Sequence, residues 1–563
     1  MSCVKASQSL LYTKAHLHQH SKVGTHRSNI ACRCMHIDQS DTKKVVVVGG
    51  GVGGLVCAGL LAKEKGYDVV LLEKNDSVGG RMQSEYIHGW RFDSGPSLLL
   101  FPNIYKETLD ALGAETVQME QVLPSAYRVF FTDGDFIDLL HDIDDMKDKL
   151  ELREPGAGKG YERFLEMSKN HLEIGMPYFI EQDFTELSDA KGLFDLIPKA
   201  SVLNPWYLLG PFDLVLRQFF KSPKIRAAFT FQTLYVGLKP STAPGVFSLL
   251  PGTEIVDGVY YPIGGFEKIR DTMRHAVERL GVDIRTNVEV DTICVEEGHG
   301  GRNTTATGVT MVNGEHIDAD IVVTNRDVAE SYRIIGGAMD ATLPDSIHNY
   351  ASEKATQLES YEYSCGIVSF QWCLNQKVDR LLHHNVFISN NPQKAWRPAR
   401  NSQEVEAYPN FYVHMPSKTD STASPGPTSE SLMVLLPVAN LQQVDKSSAS
   451  YKDIIETGRA SVLRYLEKVT GIVNFESIIV HEKIIDPNEW KERYGLTHGA
   501  AFGLSHGLNQ LSIFRPPIKD ALISNLYFTG ASTRPGNGVP LCMIGARLTA
   551  ERILKETTMQ QHI

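Results

Sequence analysis

Four consecutive valines, Val45 to Val48, form a β-branched run without polar alternation, the pattern of a parallel strand covered on both faces. A glycine turn follows, and Leu55 to Lys65 then carries apolar positions at helical spacing. Val69 to Leu72 supply a second strand, so the segment reads as a βαβ unit that closes at Glu73 and opens a parallel sheet. Further on, Asp283 to Val295 and His316 to Thr324 read as strands by β-branched content, and Leu526 to Thr529 as a last short one. Two stretches of different character lie between. Residues ~150–245 are rich in helix formers, with Leu, Phe and Trp crowded from Leu187 to Phe220. Residues ~330–480 mix strands, such as Gly366 to Cys373 and Ser431 to Val438, with helices such as Asp453 to Val469. Ser417 to Ser431 is rich in Ser, Thr and Pro and reads as a surface loop that does not pack. The pattern predicts an α/β fold without internal repeats. A parallel-sheet domain is assembled from residues 43–145, 246–330 and 481–556, and an inserted α+β domain from residues 150–245 and 331–480.

Composition narrows the function. A chain of 563 residues with 42% apolar residues exceeds what one core supports, so joined domains are expected. The formal charge of −11 is spread without single-sign blocks, and no run mixes Lys or Arg with aromatics, which argues against nucleic acid as a partner. Residues 1–37 stand apart: Lys5, Lys14, Lys22, Arg27 and Arg33 are the charged residues, with no Asp or Glu. This is the composition of an organellar transit peptide, and Ile30 to Cys34 resembles chloroplast cleavage contexts, so a plastid address is expected. A secretory signal is disfavoured because Lys14 and His16 interrupt Leu10, Leu11 and Leu17. His16, His18, His20, Cys32 and Cys34 match no compact four-ligand pattern, and no metal is expected. Cys57, Cys294, Cys365, Cys373 and Cys542 are scattered in apolar surroundings and read as reduced core thiols.

The strongest chemical signal is the turn after the valine run. Gly49, Gly51 and Gly54, with Gly53 beside them, give G-x-G-x-x-G between a strand and a helix. The first glycine permits the tight turn, the second lets backbone amides approach a pyrophosphate, and the third lets helix and strand pack closely. The helix N-terminus then turns its partial positive charge toward the phosphates. Glu73 ends the second strand 24 residues after Gly49, where a carboxylate accepts ribose hydroxyls and disfavours a 2′-phosphate. These residues point to a dinucleotide other than NADP.

Gly79-Gly80-Arg81 follows Glu73 and Lys74 and resembles the G-G-R segment of the amine oxidase and carotenoid desaturase flavoproteins. Phe92-Asp93-Ser94-Gly95-Pro96, continuing to Ser97, is similar to a turn that approaches the flavin in such proteins. The segment Asn525 to Pro540, with Gly530, Ala531, Gly538, Val539 and Pro540, resembles the signature of bacterial and fungal phytoene desaturases. Gly258 to Phe266 resembles their Y-P-x-G-G element, and Asn287 to Ile293 a strand in which the backbone at Val290 meets the adenine. Asp486-Pro487, Trp490, Tyr494 to Leu496 and Gly503 to His506 are similar to the fungal enzymes. The resemblance spans most of Lys43 to Leu554. It implies FAD as cofactor, a Rossmann-type FAD-binding domain, and the glycines, Glu73, Lys74, Arg81, Pro96, Ser97, Val290 and the C-terminal turn as its binding residues.

The resemblance further implies desaturation of a long apolar polyene in carotenoid biosynthesis. Hydride leaves an allylic carbon for the flavin, and the electron-poor centre left behind is delocalised over neighbouring double bonds, so a weak acceptor suffices for the proton. No catalytic side chain is assigned: His506, Arg534 and Glu254 could assist but read equally as hydrogen-bonding residues. A carotene isomerase, a retinol saturase, an amine oxidase and a non-enzymatic flavin-fold escort remain as alternatives. Ala531-Ser532-Thr533 stands where amine oxidases often carry a flavin-tethering cysteine, and Val539-Pro540 is nearer the desaturases than the isomerases. No stretch of 18 apolar residues occurs, so a spanning helix is disfavoured. Val202 to Phe220, flanked by Lys199, Arg217 and Lys221, suits an element dipping into a membrane surface, with a buried helix pair broken at Pro205 and Pro211 as the alternative. Oligomeric state and electron acceptor are not legible.

Overall fold

The valine run lies at the centre of a parallel sheet. In a computed structural model, which describes residues 42–184, 204–298, 304–337, 344–391 and 396–560, strand β1 (Lys43–Val48) leads through helix α1 (Val52–Lys63) to strand β2 (Tyr67–Leu72). The sheet order is Leu526–Phe528, Ile321–Thr324, β1, β2, Asp283–Arg285, and every pairing is parallel. Alternation across β1 explains the unbroken apolar run. Val45 and Val47 face α1 and the C-terminal helix Val539–Gln560, whereas Val46 and Val48 join a second core with Val290, Ile293 and Val309. The chain from Lys43 onward forms one compact unit. The expected leader, residues 1–37, lies outside the described residues.

A second sheet of seven strands runs Ile479–Ile485, Gly366–Leu374, Glu430–Val438, Phe411–His414, His384–Ile388, Ser125–Phe131, Phe136–Leu140. Its core packs against the helix Lys452–Thr470. Ser125–Phe131 and Phe136–Leu140, expected in the first cofactor piece, pair into this sheet, as does Ile479–Ile485 at the start of the third. The inserted domain therefore borrows strands from both flanks of its insertions.

Several expectations are corrected. Asp283 to Val295 is two strands, Asp283–Arg285 and Val290–Glu296, which belong to different sheets because the chain turns at Asn287, where φ is +56°. His316 to Thr324 likewise divides into His316–Asp318 and Ile321–Thr324. β-branched content registers extended backbone but not the turn that redirects it. Ser417 to Ser431 is not an unpacked surface loop. Asp420, Ala423, Ser429 and Ser431 are buried, and Arg91 donates to Asp420 at 2.6 Å in a pair whose side chains are 4% and 2% exposed. A polar segment packs where its groups find partners, which composition does not reveal.

The stretch Val202 to Phe220 is divided in character. Val202 and Leu203, with most of the preceding segment, lie outside the described residues. From Phe212 the buried alternative holds: Phe212, Val215, Leu216 and Phe220 are core residues, and Phe220 stacks on Phe229 with ring centroids 5.5 Å apart. Among the described residues of this stretch, the short helix Pro205–Leu209 is what offers apolar side chains to the outside, with Trp206 46% and Leu209 54% exposed. Among the described residues no helix is long and apolar enough to cross a membrane. Cys57, Cys365 and Cys373 are buried free thiols, each pushed up to about 12 by burial, and Cys294 and Cys542 are partly buried and also free.

Candidate functional site

The C-terminal ends of β1, β2, Ile321–Thr324 and Leu526–Phe528 meet at one edge of the parallel sheet, the position where open α/β sheets bind ligands. Gly49 turns the chain there with φ +96°, and its amide donates to the Leu72 carbonyl at 2.8 Å. A Cβ on Gly54 would stand 2.1 Å from the Gly49 carbonyl oxygen, so only glycine lets α1 start this close to the turn. The Gly79 amide donates to the Gly50 carbonyl at 2.6 Å, and this contact carries Gly80 against Gly51. Gly530 approaches from the last strand with φ +113°.

Asn325 sits where these segments converge. A Cβ on Gly51 would fall 2.4 Å from its Oδ1, one on Gly53 2.7 Å from its Nδ2, and one on Gly530 2.5 Å from its Nδ2. Its Nδ2 donates to the Thr529 carbonyl at 3.0 Å and its backbone amide to the Val48 carbonyl at 2.8 Å. Sequence reasoning missed Asn325. Its signal was its place directly after a strand that pairs with β1, visible only once Ile321–Thr324 is known to be β1's neighbour.

Glu73 is buried at the end of β2. One carboxylate oxygen accepts from the Gly50 amide at 2.8 Å and the other from the Asn75 amide and Nδ2 at 2.9 Å each. A carboxylate has about four acceptor positions, so capacity remains for ribose hydroxyls. Lys74 turns elsewhere and donates to the Glu492 carbonyl at 2.7 Å. Arg81 donates to the Ala501 carbonyl at 2.7 Å, and the Val290 carbonyl accepts from Arg326 Nη1 at 3.0 Å beside the Glu73 segment. Gly95 is set against Arg81, since a Cβ there would lie 2.3 Å from the Arg81 carbonyl oxygen, and the Ser97 hydroxyl accepts from Tyr412 at 3.0 Å. Asp93 in this turn accepts from the Tyr261 hydroxyl at 2.5 Å and the Phe266 amide at 2.9 Å, which ties it to the Y-P-x-G-G element.

The C-terminal turn is held by buried groups. Ala531 and Thr533 give their carbonyls to Arg515 at 2.7 and 3.0 Å, and the same guanidinium reaches the carbonyls of Leu504, Ser505 and Gln510. Burial lowers the Arg515 pKa to about 10, which leaves it charged at neutral pH. Arg515 was also missed, since one arginine before two prolines carries no recognisable pattern. Among the described residues Arg534 likewise donates to carbonyls, those of Arg515, Asp183, Phe184 and Ile513, and so secures the turn. His506 packs on Gly536, where a Cβ would lie 2.4 Å from its Nε2, and burial holds it neutral. Gly538, at φ +97°, and Val539 and Pro540 then open the C-terminal helix.

Glu254 lies deeper. It accepts from the Tyr127 hydroxyl and from Gln232 Nε2, both at 2.9 Å, while the Tyr235 hydroxyl donates to that of Tyr127 at 3.2 Å. Burial raises its pKa from 4.5 to about 8. Asn537 Nδ2 donates to the Tyr235 carbonyl at 2.7 Å, so this network backs the turn.

A backbone cradle closed to side chains, an acidic residue at the end of β2 and a second glycine strand define a dinucleotide-binding flavoprotein. FAD fits these residues: the Thr529 hydroxyl is buried beside Gly53 and the Ser94 hydroxyl beside Gly95, both without a partner among the described residues and ready for a polar ligand. Residues 52–554 match the family described as flavin containing amine oxidoreductase. The chain belongs to that family and, within it, to the group of fungal and bacterial phytoene desaturases, and its cofactor is FAD. It is 34% identical to the phytoene desaturase of Neurospora crassa over 92% of this chain and 85% of that protein. It is 33% identical to the carotenoid 3,4-desaturase of Haloarcula japonica, over 91% and 98% of the two chains. Among solved structures it is similar to an oxidoreductase from Methanosarcina mazei, with TM-score 0.58, 17% identity and coverage of 90% and 100%. Putrescine oxidase bound to putrescine gives TM-score 0.54 at 15% identity, covering 91% and 99%. These structural likenesses concern the fold.

Replacing Gly51 by Val should abolish FAD retention, because the new side chain collides with Asn325 and occupies the pyrophosphate approach. Flavin absorbance that co-purifies with a folded Gly51→Val chain would overturn the placement. Glu254 generates a pH dependence. Its folded-state pKa lies above its unfolded value, so its contribution to stability is present at acidic pH and is lost as pH rises from about 4.5 through about 8. Glu254→Gln should flatten the thermal midpoint across that window, with Gln232 turning its unpartnered Oε1 toward the new amide. A midpoint that declines with pH equally in both proteins would exclude Glu254 as the titrating group.

Proposed function

We infer that this protein is an FAD-dependent carotenoid desaturase that inserts double bonds into a C40 polyene of the phytoene type, in carotenoid biosynthesis. The observation that carries this reading is the chemistry of the C-terminal turn. It is surrounded by backbone carbonyls, by Arg515 and Arg534 bound to those carbonyls, and by a neutral His506, without an activated nucleophile among them. Bound FAD supplies a two-electron acceptor for hydride from an allylic carbon of the polyene. The chain orients and shields. Arg515 and Arg534 fix the turn, Gly530 and Gly51 bring backbone to the cofactor, and Phe231 and Tyr235 line the adjoining helical turn with aromatic surface. The relatives named phytoene desaturase and carotenoid 3,4-desaturase support the same substrate class. Non-covalent attachment suits this turn: it carries no cysteine, and burial pushes the Cys542 thiol up to about 11, away from the nucleophilic thiolate.

An apolar polyene resides in lipid, so the protein works as a peripheral membrane enzyme. Trp206 and Leu209 support this as the exposed apolar pair of the Pro205–Leu209 helix. The leader of residues 1–37, basic and free of acidic residues, supports a plastid address.

Purified protein given phytoene in liposomes should yield products with lengthened polyene absorption, and anaerobically the substrate should bleach the flavin. Geometric isomers without added double bonds would replace the desaturase with an isomerase, and absence of any turnover would favour the escort. Trp206→Asp with Leu209→Asp should weaken liposome binding by roughly tenfold or more while flavin content stays unchanged. Undiminished binding would move the membrane contact elsewhere on the molecule. Residues 1–37 fused to a fluorescent protein should enter plastids, and a mitochondrial or secreted fluorescence pattern would reverse that assignment.

A further inference from the structure

Three histidines distant from the glycine cradle in sequence meet in the interior of the seven-stranded sheet. His384 and His414 are paired residues of adjacent antiparallel strands, and His383 immediately precedes the first of these strands. All three are at most 1% exposed. One ring nitrogen from each lies within 4.8 Å of the other two. The ring centroids are 4.4, 4.9 and 5.6 Å apart; nitrogens sharing one ion at metal–nitrogen distances of about 2.0–2.1 Å lie at most about 4.2 Å apart, so the rings draw slightly together to hold it.

The hydrogen bonds around the cluster are incomplete. His383 Nδ1 meets the Thr419 hydroxyl at 2.6 Å, and His384 Nδ1 meets the Tyr412 hydroxyl at 2.6 Å. His384 Nε2 and His414 Nδ1 are buried without a partner among the described residues. His383 Nε2 and His414 Nε2 face each other at 3.0 Å, so one of them must carry a proton when nothing lies between them. Moving the His383 proton to Nδ1, where it donates to Thr419, leaves both Nε2 lone pairs free and mutually repulsive, and a cation relieves that repulsion. The outer nitrogens of His383 and His384 are anchored by these hydroxyls, and such an outer bond is what orients a ligating imidazole; His414 is positioned instead by its strand pairing with His384.

The surrounding charge is compatible with a divalent ion. Arg91 approaches His414, but its guanidinium is paired with Asp420 at 2.6 Å, and the Asp93 carboxyl lies behind Tyr261 in the same network. A cleft of about 430 Å³, lined by Gln118, Glu120, Lys418, Thr419 and Asp420, lies on the far side of Thr419, the hydroxyl partner of His383.

We propose that His383, His384 and His414 form a buried tris-imidazole site for a borderline divalent transition metal of the zinc class, joining two strands of the inserted sheet beside the flavin-approaching turn. Three imidazole nitrogen ligands select such ions over calcium or magnesium, which prefer oxygen. The site fixes the strand ends that carry Tyr412 and, through Thr419 and Asp420, the anchor of Arg91.

The test uses full-length, flavin-loaded protein without a polyhistidine tag. Metal content is measured by elemental mass spectrometry after passage over a weak chelating resin, and Co(II) is then titrated into chelator-stripped protein. One tightly held metal per chain is expected, together with visible Co(II) bands of low-symmetry coordination. His384→Gln and His414→Gln should each lose that equivalent and the Co(II) bands while retaining FAD. Equal metal content in wild type and both variants would mean adventitious binding elsewhere and would overturn the proposal. So would wild-type protein that holds neither native metal nor Co(II). Should the variants fail to fold, chelation of the wild type decides: metal removal should lower its thermal midpoint and Zn(II) should restore it, whereas an unchanged midpoint refutes the site.

Discussion

The close approach of three backbone segments around Asn325 is the constraint on which the remaining architecture depends. The Gly49–Gly54 turn, the Gly79–Gly80 turn and the Gly530 strand end come within contact distance, and at Gly51, Gly53 and Gly530 a single added carbon would collide with the Asn325 carboxamide. Such packing is possible only where strands lie parallel and end together, which is why the first, middle and last portions of the chain must return to one sheet. The insertions are free to form a second sheet because the cofactor edge is closed by backbone rather than by their side chains.

Buried charge is handled in two ways in this molecule. Arg91 is neutralised by Asp420, with Asp93 and Tyr261 completing the network, and this joins the strand Trp90–Asp93 to a loop more than three hundred residues later. Arg515 and Arg534 instead direct their hydrogen bonds among the described residues to backbone carbonyls, while the carboxylates of Asp327 and Asp183 act on them through space. An arginine whose donors end on carbonyls is held by dipoles rather than by an ion pair, and both arginines hold the Gly530–Pro540 turn in this way. Carbonyl anchoring makes their positive charge a rigid part of the turn rather than half of a neutral pair.

The polar interior of the inserted domain is equally organised. Glu254, Tyr127, Tyr235 and Gln232 form one buried network, and His383, His384, His414, Tyr412 and Thr419 form another, with the rings of Tyr127 and His384 in contact between them. In low dielectric such networks specify one arrangement of strands, since slipping the sheet by one residue would strand several polar groups at once.

Much of the cofactor side was determined by sequence alone. The valine run, the glycine spacing, Glu73 and the C-terminal Gly530–Pro540 turn are local patterns, and local patterns fix local conformation: φ at Gly49, strand burial, the start of a helix. What only the tertiary structure decided depends on partners distant in sequence. Asn325 gains its role from β1's neighbour, Arg515 from carbonyls of three separate turns, and Asp420 from Arg91. The same reason made Ser417 to Ser431 look unpacked and Phe212 to Phe220 look suited to a membrane, since polarity and apolarity say what a residue can bury or expose but not what it meets. The histidine cluster is the clearest case. Two adjacent histidines and a third some thirty residues on carry no motif, and antiparallel register alone brings them to one point, because strand pairing, not sequence spacing, sets which side chains face each other across a sheet.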